Sequence, residues 1–106
     1  MTVEQYLQRL KLTREQPSLD YLARLQRQHL HRIPFENLSV AGGEAIVLED
    51  GWLLDKILGR GRGGFCYELN GAFAWLLRQL GFPLRMVSAQ AYSGERLSPP
   101  FDHMAL

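Results

Sequence analysis

Apolar residues recur with a helical period through the first 80 positions and then give way to a loose alternation. Behind Thr2, a good N-cap, Val3, Tyr6, Leu7 and Leu10 fall at i, i+3, i+4 and i+7 and predict a first helix. Ser18 opens a second, with Asp20 at the positive end of its dipole. Leu19, Leu22, Ala23, Leu30 and Ile33 mark its inward stripe, with Leu25 at the edge. Pro34 ends it, because the residue before a proline is pushed out of the helical region. Residues 35–38 read as a tight irregular corner, Gly42-Gly43 as a turn, and 45–48 as a short extended run. Asp50 is expected to cap a third helix with Leu53, Leu54, Ile57 and Leu58 facing inward. After a glycine-dense stretch, Leu69, Ala72, Phe73, Leu76, Leu77 and Leu80 form the cleanest stripe in the chain. Gly81 is its C-cap, and Pro83 prevents continuation. Beyond Pro83, residues 84–92 read as a strand, Ser93-Gly94 as a turn, 98–100 as a loop, and 102–106 as a second strand. The class is α+β: a helical bundle over residues 1–82, followed over 83–106 by the first strands of a β-rich domain.

Composition narrows the function classes. The 106 residues are 46% hydrophobic and 22% charged, the balance of an ordinary folded domain. Twelve basic against 11 acidic residues leave a net charge of +1, too little to hold a nucleic acid or an anionic membrane surface. One short Gly59-Arg60-Gly61-Arg62-Gly63-Gly64 copy between amphipathic helices does not make an RNA-binding tract. Nor does it make a dinucleotide loop, since a helix rather than a strand precedes it. No apolar run approaches the roughly 18 residues of a membrane span. The N-terminus shows no basic leader, so a cytoplasmic protein is expected. His29 and His31 stand two apart, about 200° around a helix, and cannot chelate one metal together; both are expected at the surface or an edge. Trp52 and Trp75 are expected as packing residues. No metal site is expected.

The single cysteine, Cys66, can form neither an intrachain disulfide nor a multi-thiolate metal site. It falls three residues before Leu69, at the N-terminal end of the apolar stripe. Unpaired N–H groups and the positive end of the helix dipole stabilise a thiolate there; such thiols titrate at about 3.5–7.5 rather than about 8.5. Gly63-Gly64 lets backbone or substrate approach the sulfur closely. The structural alternative is a small buried hydrophobe.

Arg62-Gly63-Gly64-Phe65-Cys66-Tyr67-Glu68-Leu69-Asn70-Gly71 resembles the active-site signature of the arylamine N-acetyltransferases. Ile33-Pro34-Phe35-Glu36-Asn37-Leu38 resembles a second motif of that family, and Pro99-Pro100-Phe101-Asp102-His103-Met104-Ala105-Leu106 the stretch carrying its catalytic histidine. The resemblance implies a barrel-like second domain and a ping-pong acyl transfer. Acetyl-CoA acetylates Cys66, CoA leaves, and an arylamine, arylhydrazine or N-hydroxyarylamine accepts the acetyl group. It implies His103 as the base, Phe35 as part of the acceptor pocket, and Glu36 with Arg62 as a charge pair bracing the loop before Cys66.

The family's third catalytic residue, an aspartate downstream of the histidine, has no counterpart in this chain, which is expected to be an N-terminal portion. Asp102 adjoins His103 and would point to the other face of a strand, and Glu68 is turned away from Cys66 on the helix. Two readings of other classes stand beside the transferase. One is a non-catalytic ligand- or partner-binding module, whose open strand edges invite self-association. The other is a papain- or transglutaminase-like thiol hydrolase, which shares the Cys-then-His order.

Overall fold

The computed structural model describes residues 2–89, 94 and 103–106, and of Val40, Ser88, Ala89, His103 and Met104 the backbone alone. In chain order come α1 (Val3–Arg9), α2 (Leu19–Arg32), α3 (Leu38–Ala41), α4 (Asp50–Leu54), a π-helical turn (Asp55–Gly59), α5 (Cys66–Gln79), β1 (Val87–Ala89) and β2 (His103–Ala105). The strands pair antiparallel with Val87 opposite Ala105 and Ala89 opposite His103. The strand expected over 84–92 is thus observed at its centre. Residues 90–93, the loop at 98–100 and Asp102 lie outside the described residues.

The caps follow the sequence closely. Thr2 Oγ1 accepts the Gln5 N–H while the Gln5 side chain accepts the Thr2 N–H, a reciprocal capping box. Ser18 Oγ accepts the Tyr21 N–H at 3.0 Å, and Ile33 before Pro34 is extended. Asp50 does not cap α4: Glu49 holds that position without a side-chain bond, and Asp50 lies in the first turn. The 45–48 run pairs with no strand among the described residues.

The core joins Val3, Tyr6 and Leu7 of α1 with Leu10 just after it, Tyr21 and Leu25 of α2, Leu53, Leu54 and Ile57, and Ala72, Phe73, Leu76, Leu77 and Leu80 around α5. α5 is the central element, lying against α1, α4 and β2. The inward face of α2 differs from the aliphatic stripe. Tyr21, Leu25 and His29 are buried, whereas Leu19 is 86% and Leu30 74% exposed. Residues with apolar bodies and polar tips set the phase instead. The Tyr21 hydroxyl donates to the Thr13 carbonyl at 2.8 Å. His29 Nε2 lies 2.7 Å from the Tyr6 hydroxyl, and its ring stands 4.5 Å from that of Phe73. The expectation of a surface His29 is therefore corrected. Of the tryptophans, Trp75 stacks on Tyr6 and packs against the core. Trp52 is half-exposed beneath the Arg60 guanidinium.

Candidate active site

Cys66 is the first residue of α5 and is half-buried. Its N-cap, Phe65, supplies no side-chain acceptor to the first turn. The chain reaches it through Gly63 and Gly64, which run beside residues 34–36. The Gly64 N–H donates to the Pro34 carbonyl at 3.3 Å and the Glu36 N–H to the Gly64 carbonyl at 2.9 Å, a parallel bridge between Phe35 and Gly64. Both glycines are sterically required. A Cβ on Gly63 would fall on the Pro34 carbonyl oxygen, and one on Gly64 would come within 2.7 Å of Glu68 Cβ and 2.8 Å of its Oε1. At the glycines themselves the close neighbours are the Pro34 backbone and the Glu68 side chain. Two motifs roughly thirty residues apart become neighbours through backbone alone.

Side chains lock the junction. Arg62 holds Glu36 in a two-pronged pair, Nη2 to Oε1 at 2.9 Å and Nε to Oε2 at 3.2 Å, and reaches Ser39 Oγ at 3.1 Å and Glu44 Oε2 at 3.4 Å. Hydrogen bonds from Arg62 hold the Glu36 carboxyl below the usual carboxylate range, and Glu36 in turn raises the Arg62 guanidinium. Glu44 is lowered chiefly by the Ser39 hydroxyl, which donates to it at 3.0 Å. Beneath lies Lys56, fully buried, donating to Ser39 Oγ at 2.9 Å and to Glu68 at 3.0 and 2.8 Å, with Glu36 Oε1 at 3.8 Å. Glu68, equally buried, also accepts the Phe65 N–H at 3.2 Å.

Phe35 is 69% exposed, its backbone bridged to Gly64 two residues before Cys66. His103 sits by its backbone in β2, the strand lying against α5; its side chain is outside the described residues. The Glu36–Arg62 contact, the glycine pair and Cys66 are thus brought together. Lys56, Glu68, Ser39 and Glu44 are participants that motif reading did not find. A signal existed for Glu68: with Ala72 and Leu76 it forms an i, i+4, i+8 row on the buried face of α5. Lys56 had only a weak one, a cation three residues after Leu53 and next to Ile57 in an otherwise apolar stripe.

A family model described as N-acetyltransferase matches residues 18–106. A pineal gland isozyme of arylamine N-acetyltransferase from Gallus gallus is 34% identical over 110 residues, covering 100% of this chain and 38% of the relative. Human arylamine N-acetyltransferase 1 is 33% identical over the same coverage. An arylamine N-acetyltransferase / N-hydroxyarylamine O-acetyltransferase from Salmonella typhimurium is 38% identical over 85% of this chain and 32% of its own. Among solved structures, an N-arylamine acetyltransferase from Mycobacterium smegmatis superposes with a TM-score of 0.89 at 32% identity, over 98% of this chain and 40% of that one. The Salmonella typhimurium enzyme gives 0.88 at 37% identity, over 98% and 39%. The chain spans about two fifths of the length of these relatives.

Proposed function

The chain belongs to the arylamine N-acetyltransferase family, and from that premise we propose that it carries the nucleophilic half of an acetyl transfer from acetyl-CoA to an arylamine, arylhydrazine or N-hydroxyarylamine. Cys66 Sγ, as thiolate, attacks the acetyl carbonyl, and the CoA thiolate leaves. The acceptor nitrogen, or the hydroxyl oxygen of an N-hydroxyarylamine, then attacks the Cys66 thioester, its proton passes to His103, and the thiolate is regenerated. Phe35 lines the acceptor side, and Glu36, Arg62, Gly63 and Gly64 hold the approach to the sulfur. The division into a helical unit over 1–82 carrying Cys66 and a β-rich unit from 83 carrying His103 is part of the same reading.

The observation that carries it is the position of Cys66: half-buried, on the first turn of α5, behind a loop pinned by backbone bonds to residues 34–36 and by the Glu36–Arg62 pair. Such a turn offers N–H groups and the positive end of a dipole to a developing thiolate. The test is intact-mass measurement after incubation with acetyl-CoA. One acetyl group is expected on the wild-type chain, none on Cys66→Ala, and discharge on adding an arylamine. A folded wild-type chain that stays unmodified would overturn the proposal.

A further inference from the structure

Two opposite charges are buried beside the loop that leads into Cys66. Lys56 and Glu68 are 1% and 2% exposed. Taking an ion pair out of water costs more than it returns unless its hydrogen bonds are complete, and apolar replacements of similar volume commonly match or exceed it in stability. Stability alone is therefore a poor reason for the pair, and its surroundings suggest another. The three donors of the ammonium are used on Ser39 Oγ and both Glu68 oxygens. The Glu68 carboxylate so held accepts the N–H of Phe65 and lies against the bare Cα of Gly64. These are the two residues immediately before Cys66. Ser39, in turn, accepts from Arg62, which grips Glu36.

We infer that Lys56 is a positioning residue for Cys66: it clamps the Glu68 carboxylate against Gly64 and Phe65 and so fixes the entry of the chain into α5. The inference rests on the reading of Cys66 as an activated thiol. Without the ammonium, Glu68 is left as an unpaired buried carboxylate. A buried charge without its partner is costly and turns toward water, which alters its hold on the Phe65 N–H.

The experiment measures the rate of Cys66 alkylation by iodoacetamide at neutral pH, by intact mass, for the wild type, K56M, K56R and the double variant K56M/E68M, with circular dichroism to register folding. Wild type is also compared with itself in urea. Folded wild type is expected to react faster than the unfolded chain; if it does not, the activated-thiol reading fails, whatever the variants do. Given that difference, K56M is expected to react about tenfold more slowly, as small displacements of a reacting group cost rate steeply, and K56R to recover most of the loss. Should K56M fail to fold, the double variant decides, because it removes both charges together and leaves neither unpaired. A folded K56M/E68M that is slow supports positioning. A folded K56M or K56M/E68M that alkylates at the wild-type rate overturns this inference and leaves the activated-thiol reading intact.

Discussion

His29 shows how a polar side chain can define a core. Burial, aided by the positive charge of Arg9, lowers its imidazole from the ordinary 6.5 to about 4, and burial raises the Tyr6 phenol beside it. In the folded chain the ring is neutral, sharing one hydrogen bond with Tyr6 across α1 and α2. The unfolded chain binds a proton near 6.5, so acid favours unfolding through this group. Its contribution is complete above that value and is lost as pH falls from 6.5 toward 4. The loss amounts to about 3 kcal/mol over the whole window, from 1.36 kcal/mol per pKa unit. Urea unfolding at pH 7 and pH 5 should therefore show a marked drop for wild type and a much smaller one for His29→Gln, which keeps an acceptor without the titration. Equal drops would remove His29 as the cause. In sequence the same residue read as a surface histidine. An imidazole reveals its side of a helix only through its partner, and that partner, Tyr6, is 23 positions away.

Both longer-range helix endings follow one pattern with different residues. After α1, the Leu12 N–H reaches the Leu7 carbonyl at 3.0 Å and the Lys11 N–H that of Gln8 at 3.1 Å. After α5, the Phe82 N–H reaches Leu77 at 2.9 Å and the Gly81 N–H reaches Arg78 at 3.1 Å. Each is a Schellman ending whose turning residue has positive φ: Lys11 at 61° and Gly81 at 95°. Glycine adopts that backbone freely, and a lysine does so at a cost of roughly 1 kcal/mol. Lys11→Gly is accordingly expected to stabilise the chain by about 0.5–1 kcal/mol in chemical denaturation; a destabilised variant would contradict this. The glycine segment makes the opposite case. Gly63→Ala places a methyl on the Pro34 carbonyl, so the bridge to residues 34–36 must open. The expected result is at least about 2 kcal/mol of lost stability, together with slower Cys66 alkylation. Helix ends and apolar runs were readable because Thr2, Ser18, Pro34 and Gly81 each act on their own few neighbours. The junction of Pro34, Gly64 and Glu68 was not, because its requirement for glycine comes from atoms distant in the chain.

The molecule as a whole is organised around α5, and α1 closes one side of it. Residues 1–17 lie outside the stretch matched by the family model, yet Val3, Tyr6, Leu7 and Leu10 are all buried in the core. The Arg9 guanidinium also donates to the carbonyls of Ile57, in the π-helical turn, and Gly61, in the glycine segment. Burial of four such side chains contributes about 1.5–3 kcal/mol each, comparable with the whole stability of a small domain, about 5–15 kcal/mol. A chain beginning at Pro17 is thus expected to lose its cooperative thermal transition by circular dichroism. A sharp melt near that of the intact chain would show α1 to be dispensable. The aliphatic stripe of α2 misjudged its inward face, since Tyr21 and His29 carry the packing there and Leu19 and Leu30 do not. The π-helical turn at Asp55–Gly59 has a consequence for how this scaffold tolerates changes of length. Each of its hydrogen-bonded loops encloses one residue more than an α-helical turn. A deletion of one residue there would be absorbed by rewinding the wide turn to ordinary helix, and the chain beyond it would keep its direction. The segment bearing Arg62 would then still face Glu36, so this coil can give up one codon, whereas the 63–64 stretch, held atom by atom against Pro34 and Glu36, cannot.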